Sequence, residues 1–308
     1  MELNSLTFVL IYMPIFIMSL FLIKNNKYRS IIILVFSLTF YLLNSKAYIL
    51  LLFGEIFITY LFGKRVAKNR TTYFSYLVIV IGILCFFKYK NGIIFPLGLS
   101  FYTFTSISYV SDVYREKIQS ENNLFELVLY LSFFPTITSG PILRYDSFKN
   151  YINNKNINID SIAEGFRRFI IGLFKKVVIA NQLSLAVNTC FDKNVQLSTI
   201  LAWFGAICFM LQLYYDFSGY SDMAIGICKM IGYTVEENFN DPYISKSIKE
   251  FWRRWHISLS TWFKDYVYIP LGGSRVDFVR WIINILIVWS LTGIWHGSTI
   301  NYLFWGLW

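Results

Sequence analysis

The chain has 308 residues, 56% of them hydrophobic, 20% aromatic and 15% charged, with a net charge of +10. This excludes an ordinary soluble globular domain. The basic excess does not indicate nucleic-acid binding either, because it sits in short loops between apolar runs.

Uncharged apolar runs recur at residues 3–23, 30–45, 71–87, 91–111, 127–143, 194–215 and 281–308, with weaker ones at 47–63 and 177–191. A membrane-crossing helix takes about 20 such residues. The pattern predicts an all-α polytopic membrane protein with about eight to ten membrane helices, some re-entrant or amphipathic. Residues 3–23 lack a basic leader region and are read as a membrane helix, not a cleaved signal. Lys24, Lys27 and Arg29 fall in the first loop and Lys64, Arg65, Lys68 and Arg70 in the third, with Lys46 nearly alone between them. That alternation places the first and third loops in the cytoplasm and the N-terminus outside; Lys88 and Lys90 are exceptions.

Glu55 lies within an apolar segment, where an acid is costly and is either functional or structural. Pro96 and Gly98 break the next run, predicting a bent or re-entrant element, and Pro135, Gly140 and Pro141 mark a second break. Residues 144–160 are polar and Asn-rich and predict an exposed loop. Residues 162–176 carry Arg167, Arg168, Lys175 and Lys176 among apolar residues, predicting an amphipathic surface helix that feeds a span from Val177. Asp216 and Asp222 flank a Gly–Ser turn in apolar surroundings and must either pair with cations or face a watery passage. Cys85, Cys190, Cys208 and Cys228 are scattered, without metal or redox spacing, and read as small buried hydrophobes.

Chemistry concentrates in two places, and the chain's two histidines mark them. The first is FWRRWHISLSTWFKDYVYIPLGG at 251–273. If residues 249–265 form one helix, Trp252, His256, Ser260 and Lys264 share a face, flanked by Arg253 and Arg254. Such cations suit a phosphorylated ligand, although an interfacial helix with snorkelling cations and a Trp belt has the same composition. The second is GIWHG at 293–297, which interrupts a long uncharged run, so the chain either folds back there or starts a new helix. An imidazole at membrane depth, here His296, is a functional candidate matched to proton transfer near neutral pH. Two histidines are too few for zinc without carboxylates, so no metal is expected.

The blocks PLGLSFYTF at 96–104, FFPTITSGPI at 133–142, GLFKKVVIA at 172–180, YYDFSGYSDMAIG at 214–226, ENFNDPYIS at 237–245, the 251–275 stretch and LTGIWHG at 291–297 occur in one order. In these the chain resembles the membrane-bound O-acyltransferase family, most closely its alginate O-acetylation branch. The D-alanine-exporting branch is similar in RWH and WHG, but the IPLGG ending resembles the alginate type. The resemblance implies acyl transfer with His296 as the essential residue and His256 near it in a central funnel. It implies a single membrane domain over residues 1–308, with further C-terminal helices beyond it. Lys264 stands where the family usually has Arg, which keeps the charge and loses the bidentate fork.

The expected activity is transfer of acetyl from a cytoplasmic thioester, acetyl-CoA, toward hydroxyls of an extracytoplasmic polysaccharide through a partner protein. His296 is the expected base and His256 polarises the carbonyl or orients the acceptor. Arg253, Arg254 and Lys264 are the expected donor-phosphate contacts, held by Asp216 and Asp222. No permanently bound cofactor is expected; the expected surroundings are membrane lipid in a bacterial cytoplasmic membrane. The alternatives are a multi-pass transporter or flippase using the intramembrane Asp and His residues, or an acyltransferase of the D-alanine type.

Overall fold

The computed structural model describes residues 1–90, 92–192 and 195–307. The run ends placed at Asn91, Asn194 and Trp308 lie outside the described residues. Those residues form helices and connecting turns, with no strand among them. Five helical stretches are long and apolar enough to cross a membrane by length and composition: Asn26–Gly63, Arg70–Tyr89, Ile159–Cys190, Thr199–Met230 and Phe278–His296. Phe8–Leu22 is a shorter apolar helix. The chain divides into two compact units, the first built from Met1–Asn44, Phe133–Pro141 and Ser147–Asn240, the second from the rest.

In the first unit, the Ile159–Phe174 and Thr199–Met230 helices lie so close that their glycines have no room for a side chain. A Cβ on Gly172 would stand 2.5 Å from the Gly219 carbonyl oxygen, and one on Gly165 would stand 2.5 Å from that of Gly226. Small residues one or two turns apart are what allow helix backbones this approach in a membrane. The sequence predicted a Gly–Ser turn around Gly219, but the helix runs unbroken through it because its glycines serve close packing. Likewise, no break separates the predicted surface helix from the following span: Ile159–Phe174 passes through a π-helical turn at Lys175–Ala180 into Asn181–Cys190.

The cations of that stretch face the acids of its neighbour. Arg168 Nη2 lies 2.6 Å from Asp222 Oδ1 and Lys175 Nζ 2.7 Å from Asp222 Oδ2, while Lys176 pairs with Asp216 and Arg168 also with Glu237. Asp222 is only 4% exposed, and two cations meet it there, which offsets the cost of burying an acid. Both aspartates thus find cations within their own unit. The Asn-rich stretch is not an exposed loop either. It contains the Tyr145–Asn153 helix, whose Phe148 and Tyr151 are buried against Tyr233, and Lys155 beyond it is buried with its ammonium donating to Ser30 Oγ. Periodic aromatics spaced three apart outweighed the polar composition.

In the second unit, Ile49–Gly63, Arg70–Tyr89 and Leu99–Tyr114 pack together. The Pro96–Gly98 break ends in a left-handed Gly98, from which the Leu99–Tyr114 helix starts. Glu55 is 1% exposed and accepts hydrogen bonds from Thr103 Oγ1 at 3.2 Å and Ser106 Oγ at 3.0 Å. Of the two readings of Glu55, that contact set is the structural one: it ties two helices together.

Candidate active site

The stretch around His256 is not one helix. It consists of Ile248–Arg254 and Ile257–Phe263, followed by a π-helical turn at Lys264–Tyr268. Between them His256 adopts φ 43°, ψ 56°, a left-handed conformation that a side chain other than glycine enters at a cost of about 1–3 kcal/mol. Trp252, His256, Ser260 and Lys264 therefore do not share a single helical face, which corrects the i, i+4 expectation. The apolar pattern continues across the break and conceals it. Strain of this kind persists where surrounding contacts fix it, and it gathers at functional positions.

The break drives the His256 imidazole inward, to 3% exposed. Burial, reinforced by the nearby His296, pushes its pKa down to about 3, so the ring is neutral at neutral pH. The next helix is anchored by Trp262, whose Nε1 donates to the Phe104 carbonyl at 2.9 Å and whose ring stacks on Phe104 at 4.3 Å.

His296 is the last residue of the Phe278–His296 helix. The chain then turns at an extended Gly297 and doubles back as Ile300–Leu307. Both glycines of GIWHG are demanded by this fold-back: a Cβ on Gly293 would overlap the Tyr302 carbonyl, and one on Gly297 the Tyr302 ring. Of the two alternatives at this run, the structure takes a helix that ends at His296 and a short second helix folded against it.

The two imidazoles meet around one ring. The Trp295 indole centroid lies 4.7 Å from His296 and 6.4 Å from His256, and it stacks on Phe104 at 5.6 Å. Trp305 covers another edge of His296 at 5.0 Å, yet His296 remains exposed. Residues separated by about forty positions are thus gathered within one aromatic cluster.

Two residues that the sequence did not assign hold this end of the helix. Lys88 Nζ donates to the Trp295 carbonyl and Tyr89 Oη to the Ile294 carbonyl at 2.7 Å. A cation here satisfies a terminal carbonyl and complements the negative end of the helix dipole. The one available signal was that Lys88 departs from the positive-inside pattern.

The three expected phosphate contacts are divided by the His256 break. Arg253 is exposed, Arg254 pairs with Glu250 at 2.9 Å, and Lys264 is exposed with its ammonium 3.6 Å from Asp265. Asp265 also accepts from Arg144 at 3.1 Å, and its backbone carbonyl from Arg115 at 2.9 Å. Lys264 therefore belongs to a cationic group with Arg115 and Arg144, on the far side of the Ile257–Phe263 helix from His256 in sequence.

The family model described as MBOAT, membrane-bound O-acyltransferase family, matches residues 114–308. Across its whole length the chain is 38% identical to the "Probable alginate O-acetylase AlgI" of Pseudomonas aeruginosa, of which it covers 64%. It is 33% identical to the peptidoglycan O-acetyltransferase of Helicobacter pylori over 99% of the chain and 68% of that protein. Over 70% of the chain it is 33% identical to the teichoic acid D-alanyltransferase of Bacillus subtilis, of which 58% is covered.

Proposed function

Because the chain belongs to the membrane-bound O-acyltransferase family, we propose that it moves an acetyl group from acetyl-CoA on the cytoplasmic side toward hydroxyls of an extracytoplasmic polysaccharide. The observation that carries the reading is the placement of His256 and His296 around Trp295. The exposed His296 imidazole is the general base on the attacking hydroxyl, and the buried, neutral His256 polarises the carbonyl or orients the acceptor. Lys264, Arg253 and Arg254 are assigned to the donor's phosphates, to which cations bind well. The closer full-length similarity to acetylases than to the D-alanine enzymes supports acetyl as the group moved.

The chain spans 64% of the length of the alginate-type relative, and the central funnel, the extracytoplasmic acetyl-accepting or acetyl-transferring partner protein and the polymer belong to the same proposal. So do residence in a bacterial cytoplasmic membrane, the count of about eight to ten membrane helices and the reading of residues 1–308 as a single membrane domain. The test is turnover of radiolabelled acetyl-CoA by the protein in liposomes with a hydroxyl acceptor. Acetyl transfer that falls about 10²–10⁴-fold in His296→Ala supports the mechanism. Vesicle uptake of a solute without thioester cleavage overturns it in favour of a transporter.

A further inference from the structure

Trp295 is the ring about which both imidazoles are arranged, and packing leaves its own polar atom over. The indole Nε1 is shielded from solvent and, among the described residues, donates to no acceptor. The corresponding atoms of Trp262 and Trp281 do donate, to the Phe104 carbonyl at 2.9 Å and to Tyr268 Oη at 3.1 Å. A buried donor without an acceptor costs about 1–3 kcal/mol, and a buried indole N–H ordinarily finds a partner. Nothing in the packing of the ring accounts for that cost, since a phenyl ring would stack on Phe104 as well. A reaction that builds negative charge on a carbonyl oxygen does account for it, because a donor fixed in advance stabilises that charge without having to reorganise.

Resting on the acyl-transfer reading, we propose that the Trp295 indole N–H is a catalytic hydrogen-bond donor to the acyl carbonyl oxygen of the thioester. The acceptor hydroxyl oxygen attacks the carbonyl carbon as its proton passes to the His296 imidazole. The carbonyl π pair moves onto oxygen, and that oxyanion accepts the hydrogen bond from Trp295 Nε1. Collapse restores the C=O bond and breaks the C–S bond, and the leaving sulfur takes the proton from His296, giving an ester and a free thiol. With the carbonyl held by Trp295, His256 has the remaining role of orienting the acceptor hydroxyl.

The support for the donor is as important as the donor itself, because preorganisation is what makes such a hydrogen bond effective. Phe104 stacks on the Trp295 ring, and Lys88 holds its carbonyl while its ammonium lies 5.5 Å from the ring centroid. The next residue is the proposed base, so one helix end sets both the donor and the proton acceptor.

The experiment uses the full membrane protein in detergent or liposomes. Two variants remove the N–H and keep an aromatic ring: Trp295→Phe, and Trp295 replaced by β-(3-benzothienyl)alanine, which keeps the bicyclic shape and puts sulfur where N–H was. Both are expected to lower kcat by about 10²–10³-fold with KM for acetyl-CoA unchanged. In protein labelled with ¹⁵N-indole tryptophan, the Trp295 signal, assigned by its loss in Trp295→Phe, is expected to move downfield on binding an inert ketone analogue of acetyl-CoA. A benzothienyl variant with wild-type kcat overturns the proposal, and so does an indole signal that stays in place at saturating ketone. If His296→Ala is inactive while the benzothienyl variant is fully active, the donor assignment fails alone. If the wild type never cleaves acetyl-CoA, the acyl-transfer reading fails, and the ketone titration still decides whether this indole meets a carbonyl.

Discussion

The ammonium of Lys88 donates to the backbone carbonyl of Trp295, joining the end of one membrane-length helix to the end of another. Hydrogen bonds to charged groups contribute about 1.5–3 kcal/mol, so Lys88→Met is expected to lower stability by that order and Lys88→Arg to recover most of it. Thermal unfolding in detergent measures both. A Met variant as stable as wild type would show that the cap carries no energy.

The glycine seam makes a sharper prediction. Gly172→Ala puts a methyl group 2.5 Å from the Gly219 carbonyl oxygen, and the helices must separate. Overpacking of this kind costs about 1–3 kcal/mol. Gly54 and Gly82 also lie within helices, but a Cβ there meets nothing within 4 Å. Their alanine variants are expected to be neutral or stabilised by about 0.5–1 kcal/mol. Equal effects at Gly172 and Gly54 would remove the seam as a source of stability.

The two seam aspartates should differ in weight. Asp222, at 4% exposed, accepts from Arg168 and Lys175, so Asp222→Asn leaves two shielded cations short of charge and is expected to cost about 3 kcal/mol. The Asp216 side chain is 37% exposed, and Asp216→Asn is expected to cost under about 1 kcal/mol. Denaturation of the two variants side by side tests the ranking, and a reversed order would refute it.

His256 gives stability a pH dependence of known sign. Its folded pKa, lowered to about 3 by burial and then by His296, lies below the unfolded value of about 6.5. As pH falls below 6.5 the unfolded chain binds the proton first, so stability is lost between 6.5 and 3 and is fully present above 6.5. The slope contributed is at most about 1.4 kcal/mol per pH unit. His256→Asn, which tolerates the left-handed backbone and does not titrate, should flatten that part of the profile. Melting temperature measured from pH 7 to 4 decides it, and parallel curves would refute the assignment.

The helix end at His296 was legible because Gly293 and Gly297 bracket it in an otherwise uncharged run. The pairing of Asp216 and Asp222 was legible only as an alternative, since hydropathy gives the cost of a buried acid and not the identity of its partner. The break at His256 was hidden because Trp252, Leu259 and Trp262 keep a helical rhythm across it. The Tyr145–Asn153 helix was hidden by its asparagines, while Phe148, Tyr151 and Ile152 were already at helical spacing. Lys88 left a mark, as an exception to the loop-charge rule, but its partner lies 207 residues away and no local pattern names it.

The charged seam also constrains how the protein is made. Lys175 and Lys176 fall near the middle of Ile159–Cys190, where each cation costs about 2.5–3.5 kcal/mol to insert. Their acids arrive only with Thr199–Met230, the next membrane-length segment to leave the ribosome. The first segment is therefore expected to wait at the translocon and enter lipid together with the second, as a charge-neutralised hairpin.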